Sequence, residues 1–172
     1  MPQNSTFCLR PHIAHFPVKE RSAILDVGSY LGANLIHYAM SGHTVTGLEP
    51  GAPYRENCEE NCLALEEATR DRITVYPDLI EEFETDERFD HIVCTDILKH
   101  VVDPGYVVWR CAELLKEGGT LFLAEIKKRC TTHVRDVSLL VLEVYVLQAG
   151  LIPRSFSDDS YWYAIGERAE KG

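Results

Sequence analysis

Short apolar runs alternate with longer segments of helical spacing along most of the chain. Five such runs, each of four to six residues, are bounded by turn residues or by amphipathic segments. The predicted strands are Ala23–Val27, Thr44–Leu48, Ile73–Tyr76, Phe89–Cys94 and Thr120–Ala124. The predicted helices are Asn34–Met40, Tyr54–Thr69, Pro104–Leu115 and Val134–Gln148, with a brief helical turn at Leu79–Phe83. This alternation is typical of βαβ units and predicts a parallel sheet covered by helices.

The end of the chain departs from this alternation. Two further strand-like runs, Ile152–Phe156 and Tyr161–Gly166, are joined by only four polar residues. So short a connection predicts antiparallel pairing, because a parallel return requires a crossover. We expect a doubly wound, mostly parallel α/β sheet with a C-terminal antiparallel hairpin. We also expect one domain over residues 1–172, with its core in residues 22–166 and an N-terminal segment at residues 1–21.

Composition narrows the class of protein. Hydrophobic residues make up 45% of the 172 residues and charged residues 26%, which suits a globular domain. No apolar run approaches the roughly 20 residues of a membrane span, and the first residues lack the apolar stretch of a signal peptide. We therefore expect a soluble, cytoplasmic protein. The formal net charge of −10 disfavours a nucleic-acid partner, because phosphate contacts require a basic face.

The six cysteines include no Cys-x-x-Cys pair. Cys58 and Cys62 are four residues apart on a predicted helix, and no His or Cys near them in the sequence completes a zinc ligand set. Cys94 lies in an apolar run, where a thiol packs as a small hydrophobic group. We expect reduced thiols in a reducing compartment and no metal site.

Residues that follow the first two predicted strands indicate a ligand site. In an open parallel sheet, ligands bind beyond the carboxyl ends of the strands, near the point where the strand order reverses. The first strand leads into a turn from Gly28 to Gly32, whose glycines permit close approach of the backbone before a helix N-terminus. Glu49 directly follows the second strand, about 20 residues after the glycine turn. A carboxylate at this position accepts hydrogen bonds from ribose hydroxyls. A nucleoside-containing ligand is predicted, although a tight connection and a solvated strand end remain alternative interpretations.

The glycine spacing distinguishes two classes of nucleoside ligand. A dinucleotide site has the pattern G-x-G-x-x-G, which leaves bare backbone for the pyrophosphate. Here Tyr30 replaces the middle glycine, and no third glycine is in register. A bulky side chain obstructs a pyrophosphate more than it obstructs the amino and carboxylate groups of a methionine. The turn therefore counts against NAD, and an NAD-dependent oxidoreductase is the less favoured alternative.

Five stretches of the sequence, in this order, resemble the class I S-adenosylmethionine-dependent methyltransferases, and most closely the branch of the ubiquinone- and menaquinone-biosynthesis enzymes. They are ILDVGSYLG, the acidic strand end at Glu49, Asp78, FDHIVCTDILKHVVDP and LLKEGGTLFLAEI, covering Ile24 to Ile126. The departure from the family pattern is Tyr30 in the glycine turn. The resemblance implies a Rossmann-like sheet of order 3-2-1-4-5-7-6 and the cofactor S-adenosylmethionine.

The resemblance also implies roles for single residues. Asp26 would anchor the turn and orient the amino group of the cofactor, and Glu49 would hold its ribose hydroxyls. The residues implied at the methionine end are Gly28, Ser29, Tyr30 and Gly32, with Thr95 and Asp96 below the sulfonium. Asp78 is implied near the adenine amino group, with Leu79 against the ring. Asp78 equally suits an N-cap of the turn at Leu79–Phe83.

A general base is needed only when the acceptor must lose a proton before attack, as a hydroxyl must. The candidates are Asp96 and His100, with Tyr30, His12 and His15 behind them. His12, His15 and Phe16 are candidates for covering the site, and a flexible terminus is an equal alternative. For His100, an alternative role is to hold the loop before Pro104.

The sequence leaves the methyl acceptor unidentified. Only residues 1–21 precede the first strand, and only Lys127–His133 separates the fifth strand from the next helix, so little chain is available to cover the site. This thin cap suggests a large acceptor, a lid lent by another subunit of a homo-oligomer, or a partner-bound domain. A non-catalytic binding or scaffold module with the same fold is therefore the alternative to a methyltransferase.

Overall fold

Within residues 15–128 and 137–170, the parts of the chain that the computed structural model describes, seven strands form one sheet. The strands are β1 Ala23–Val27, β2 Thr44–Leu48, β3 Ile73–Tyr76, β4 Phe89–Thr95, β5 Leu115–Ile126, β6 Ile152–Ser157 and β7 Tyr161–Glu167. The helices of these residues are α1 Ala33–Met40, α2 Ala52–Leu63, α3 Glu67–Arg70, α4 Pro104–Leu114 and α5 Leu139–Gln148.

The strand order is β3-β2-β1-β4-β5-β7-β6, as predicted. Strands β3, β2, β1, β4 and β5 are parallel, and β7 pairs antiparallel with both β5 and β6. The order reverses between β1 and β4, where Val27 pairs with Cys94 on one side and with Leu48 on the other. The carboxyl ends of β1, β2 and β4 therefore meet at one edge, at the point where an open α/β sheet binds its ligands.

Helices cover both faces of the sheet, so the core has two layers. On one face, Leu35 and Tyr38 of α1 and Cys58 of α2 are buried. On the other face, Val107 of α4 and Leu142 of α5 are buried. The central strand β4 is buried along nearly its whole length, which explains its near-continuous apolar sequence. In the described parts of the chain, every helix is too short or too polar to cross a bilayer.

The predicted helix Tyr54–Thr69 is wrong as a single helix. The observed helix α2 begins at Ala52 and ends at Leu63, and the separate helix α3 follows it. Only Cys58 and Cys62 of α2 are buried, so little of this polar helix is held by the core. Leaving the helix after Leu63 allows Leu65 to pack against the same core cluster, a tertiary contact that overrides the helical spacing.

The predicted end of the α4 helix is nearly correct, but β5 is longer than expected. The strand begins at Leu115, and Gly118 and Gly119 lie inside it instead of ending a helix. The register between β4 and β5 shifts between Phe89 and His91, and Gly118 has a left-handed φ of 68°. The two glycines thus form an irregularity of the strand. Of the predicted helix Val134–Gln148, residues 134–136 lie outside the described residues, and α5 begins at Leu139.

The N-terminal segment contributes to the core from residue 16 onward. Phe16 is buried and its ring stacks on Phe122 of β5 with 4.8 Å between centroids. The Lys19 N–H donates to His91 Nε2 at 3.1 Å, and His91 Nδ1 lies 2.6 Å from Thr120 Oγ1. Buried side chains therefore begin before the predicted core of residues 22–166. Burial lowers the pKa of His91 to about 4, so this imidazole is neutral in the folded protein at pH 7.

His91 should make the free energy of unfolding depend on pH below neutrality. Its folded pKa lies below the ordinary value of about 6.5, so the unfolded chain takes up a proton first as pH falls. The stabilisation of the fold that depends on neutral His91 is complete above about pH 6.5 and is lost progressively toward about pH 4. In H91Q, the slope of unfolding free energy against pH near pH 5 should fall by nearly one proton, about 1.4 kcal/mol per pH unit. Urea titrations between pH 4.5 and 7 measure it, and an unchanged slope would contradict the assignment.

Candidate cofactor-binding site

The turn after β1 is fixed to the neighbouring strand by its own backbone. The N–H groups of Gly28 and Ser29 both donate to the carbonyl oxygen of Leu48, at 2.9 and 3.0 Å. Gly28, Tyr30 and Gly32 have left-handed φ values of 76°, 51° and 83°. Tyrosine rarely adopts this conformation, so the surrounding contacts must hold Tyr30 in it.

Glu49 is the contact that holds Tyr30. One oxygen of its carboxylate, Oε2, accepts the Tyr30 N–H at 2.8 Å, and Oε1 accepts the Gly51 N–H at 2.9 Å. The side chain is buried and faces the turn, which is the arrangement that the spacing predicted. A carboxylate oxygen has two lone pairs, so each oxygen retains the capacity to accept a second hydrogen bond, for example from a hydroxyl.

Close packing also explains why Gly28 and Gly32 of the turn are glycines. A Cβ on Gly28 would overlap the side chain of Ile97, and one on Gly32 would lie 2.7 Å from Cys58 Sγ. Both positions therefore require glycine for close approach of the protein itself, in addition to their positive φ. The glycine pattern alone is weak evidence of a ligand, and the orientation of Glu49 carries more weight.

Polar groups lie buried beneath the turn. Asp26 is fully buried, and its Oδ1 accepts a hydrogen bond from Asn34 Nδ2 at 3.0 Å, which joins β1 to α1. Burial, together with the charge of Asp26, raises the pKa of the Tyr38 hydroxyl one turn further along α1. Among the described residues, Ser29 Oγ and Asn34 Oδ1 are buried without a hydrogen-bond partner. Buried polar atoms of this kind are normally satisfied, so they fit a polar ligand at the turn.

Aromatic and acidic side chains lie along the ends of β2 and β3. The rings of Tyr30 and Tyr54 are 4.7 Å apart and half-exposed beside Glu49. The backbone of Glu49 donates to the Tyr76 carbonyl at 3.0 Å, which ties the ends of the two strands together. Two residues beyond β3, Asp78 is half-buried, and Leu79 is exposed. The structure thus places Glu49, Asp78 and Leu79 along the same edge as the glycine turn.

The end of β4 carries a buried charge network that the sequence analysis missed. Thr95 is the buried last residue of β4, and Asp96 follows it with a left-handed φ of 60°. Lys99 Nζ forms ion pairs with Asp96 Oδ1 and with Glu125 Oε2, the latter at 3.1 Å, and both Lys99 and Glu125 are buried.

Backbone and hydroxyl groups complete this network. Glu125 Oε1 accepts the Leu98 N–H at 2.7 Å, Asp96 Oδ1 accepts the Ile126 N–H at 3.0 Å, and the Tyr161 hydroxyl donates to Asp96 Oδ2 at 3.4 Å. Burial raises the pKa of the Glu125 carboxyl, and the Lys99 ammonium opposes that rise. The sequence signals were a lysine inside the apolar ILKHV and a glutamate at the end of the apolar TLFLA.

The remaining candidate bases occupy different places. His100 is exposed, and its N–H donates to the Ile97 carbonyl at 2.8 Å, so it lies on the same loop as the inward-turned Asp96. His15 packs on Tyr163 of β7 and Phe156 of β6, with ring centroids 5.3 and 5.7 Å apart. His15 and Phe16 therefore pack on β5, β6 and β7, and β7 is three strands from β1, so neither side chain covers the glycine turn. His12 lies outside the described residues.

Over residues 15–128 and 137–170, no three or more His, Cys, Asp and Glu side chains are grouped so that they could hold a metal ion. Cys58 and Cys62 are both buried free thiols, and Cys58 lies under Gly32. Cys58 therefore fills space between α2 and the turn.

Removing Lys99 should destabilise the fold strongly, because two carboxylates would lose their shared cation. K99M is expected to lower the free energy of unfolding by about 3–5 kcal/mol. In K99M/E125Q, one buried charge is gone and the amide oxygen still accepts the Leu98 N–H, so at least about 1 kcal/mol should return. Urea unfolding followed by circular dichroism measures K99M, the single variant E125Q and the double variant. A loss below about 1 kcal/mol in K99M, or simple additivity of the two changes, would contradict the network.

Comparison with known proteins agrees with this geometry. Residues 7–164 match the profile of the family described as "Methyltransferase domain". The ubiquinone biosynthesis O-methyltransferase of Pseudomonas syringae pv. tomato is 31% identical over 135 residues, covering 78% of this chain and 55% of that protein. The corresponding protein of Actinobacillus pleuropneumoniae serotype 5b is 35% identical over 119 residues, covering 64% of this chain and 48% of that protein. The chain thus spans about half the length of these relatives.

A solved structure shares the fold. The glycopeptide N-methyltransferase MtfA in complex with (S)-adenosyl-L-methionine superposes with a TM-score of 0.76 at 14% identity, covering 94% of this chain and 85% of that chain. At this identity the likeness shows the fold alone. The family profile covers most of the sequence and agrees with the stretches that the sequence analysis identified. The chain therefore belongs to the methyltransferase-domain family, within the class I S-adenosylmethionine-dependent methyltransferases.

Proposed function

We propose that the protein binds S-adenosylmethionine at the carboxyl edge of β1, β2 and β4 and transfers its methyl group to an acceptor by in-line displacement. The observation that carries the proposal is the buried Glu49 carboxylate, which faces the glycine turn at the point where the strand order reverses. A nicotinamide-dependent oxidoreductase is not favoured, because Tyr30 occupies the middle glycine position and the family is that of methyltransferases.

The residues at this edge fit the parts of the cofactor. Glu49 would accept hydrogen bonds from the ribose hydroxyls, using lone pairs that the Tyr30 and Gly51 N–H groups leave available. The groups proposed for the amino-acid end are the backbone of Gly28, Tyr30 and Gly32, the hydroxyl of Ser29, and Asp26 beneath them. Asp78 and Leu79 are proposed beside the adenine, and Thr95 beside the sulfonium. When bound, the cofactor supplies an electrophilic methyl group, and the chain supplies position and charge.

The buried network sets the charge at the β4 end of this edge. Asp96, Lys99 and Glu125 together carry a formal charge of −1, from two carboxylates and one ammonium. Ile97, next to Asp96, packs on Gly28, so the network adjoins the glycine turn. This net negative charge, held at low exposure, favours a cation at the β4 end of the edge. Because the charged groups are already fixed in place, they stabilise a cation without the reorganisation that water would need.

A hydroxyl acceptor is the class that we favour, because the relatives named above are O-methyltransferases. Such an acceptor must lose a proton as it attacks. His100 is the proposed proton acceptor, since its exposed side chain is reachable by an acceptor arriving from solvent. Asp96 is proposed as the wall of the site, because it is already engaged with Lys99, the Ile126 N–H and Tyr161.

The net charge of the chain and its buried thiols support proposals about the acceptor and the compartment. The net charge of −10 supports an acceptor other than nucleic acid, unless a basic partner supplies the phosphate contacts. Cys58, Cys62, Cys94 and Cys111 are buried free thiols, which supports a reducing compartment such as the cytoplasm.

Ligand-linked stability tests the cofactor assignment directly. S-adenosylhomocysteine at about 100 times its dissociation constant should add about 2.7 kcal/mol to the unfolding free energy, seen as a rise in melting temperature. NADH at the same concentration should leave the transition unchanged. A response to NADH alone would favour the oxidoreductase. No response to either S-adenosylmethionine or S-adenosylhomocysteine at millimolar concentration would favour a scaffold module that has kept the fold.

Glu49 should contribute a large part of that affinity. In E49A the ribose hydroxyls lose a charged acceptor, worth on the order of 1.5–3 kcal/mol, so the dissociation constant for S-adenosylhomocysteine should rise roughly tenfold or more. Isothermal titration calorimetry measures the change. The matched control is E60A, which removes an exposed glutamate of α2 and should bind as the wild type does. Equal affinities of E49A and E60A would remove Glu49 from the site.

A further inference from the structure

Helix α5 presents an apolar face to solvent. Its ten residues, LLVLEVYVLQ, contain one charged side chain, Glu143, which bonds to Ser155 of β6. Leu142 and Val146 face the core. On the opposite side, Leu140, Val144 and Leu147 follow the i, i+4, i+7 spacing of one helix face and are exposed. A helix that is apolar all round is normally buried all round, so this outer face calls for a partner surface.

The apolar face of α5 continues onto α4. Tyr106 and Trp109 of α4 are one turn apart and exposed, and their rings stack with 5.5 Å between centroids. The two helices are in contact, because a Cβ on Gly105 would lie 3.6 Å from the ring of Tyr145. Trp109 also borders a small cavity with Ala149 and Gly150, at the end of α5.

We define the α4–α5 face as the set Tyr106, Trp109, Leu140, Val144 and Leu147.

The size of the α4–α5 face suits a dimer. Its five side chains are 40–68% exposed. With full side-chain areas on the order of 150–250 Å², they expose about 500 Å² of mostly apolar surface, at the upper end of what monomers show. A stable interface takes about 800 Å² from each partner, as an apolar centre within a polar rim. The charged side chains Arg110 and Glu113 of α4 flank the face and would belong to such a rim.

The composition of the α4–α5 face favours one kind of occupant. The face carries no charged side chain. A partner that binds through basic side chains would therefore find no counter-charge on it. A second copy presents an identical apolar face of the same size. This face contains the aromatic side chains that are common at interface centres. Two such faces packed together form a closed dimer with two-fold symmetry.

We infer that the protein forms a two-fold symmetric dimer in which the α4–α5 faces of two copies pack against each other. This face lies on one side of the sheet, on helices that follow β4 and β5, and the carboxyl edge stays open. The inference is independent of the proposed cofactor, because it rests on the outer surfaces of the two helices.

Sedimentation velocity of the full 172-residue chain and its variants tests the dimer. Wild type at tens of micromolar should sediment at twice the 19.5 kDa chain mass. L140D should weaken the dimer by about a hundredfold, because two-fold symmetry buries the new carboxylate twice. The control is L63D on α2, whose leucine is as exposed as Leu140, at 64% against 68%, but lies outside the face. L63D should dimerise as the wild type does, and circular dichroism should show both variants folded.

Salt dependence adds a second arm. Two copies of charge −10 repel each other, so raising NaCl from about 0.02 to 0.3 M should tighten the dimer as the repulsion is screened. A monomeric wild type at about 200 μM in both salts would overturn the inference, since interfaces of this size reach micromolar affinity or better. A dimer equally strong in L140D and L63D, or one that high salt weakens, would overturn it as well.

Discussion

A single buried carboxylate organises the ligand-binding edge of this protein. Glu49 accepts the N–H groups of Tyr30 and Gly51 at once, so it ties the end of β2 both to its own following turn and to the turn after β1. The backbone of Tyr30 can remain in a left-handed conformation because this charged acceptor holds its N–H. The same carboxylate is the group that we propose holds the ribose. Structure and proposed binding therefore depend on one side chain.

The opposite side of the edge has its own anchor. Lys99 lies between Asp96 and Glu125 and joins the loop after β4 to the end of β5. Ile97, carried by that loop, packs on Gly28 and so connects the network to the glycine turn. Two buried electrostatic contacts, at Glu49 and at Lys99, thus fix the walls between which a cofactor would lie. A methyl transfer depends on such fixed positioning, because the reactive group comes with the cofactor.

The sequence predicted what local patterning determines. Alternation of strands and helices, together with the short link at residues 157–160, was enough for a mostly parallel sheet with an antiparallel hairpin, whereas the strand order came from the family resemblance. The 20-residue spacing placed Glu49 opposite the turn. The parts that failed depend on distant contacts. The break between α2 and α3 follows from packing of Leu65, and the position of Phe16 follows from a face of β5 that no local pattern reveals. Lys99 and Glu125 are 26 residues apart in sequence and meet only in the folded sheet.

The most direct test of the Glu49-centred site is an amide NMR titration of the full chain with S-adenosylhomocysteine. The account predicts that the largest shifts fall on the N–H groups of Tyr30 and Gly51, which share Glu49 with the ribose, and on residues 28–32 and 96–98. Large shifts confined to another surface, such as the groove of about 530 Å³ between α1 and α2, would contradict it. Saturating ligand that leaves the Tyr30 and Gly51 resonances in place would do so too.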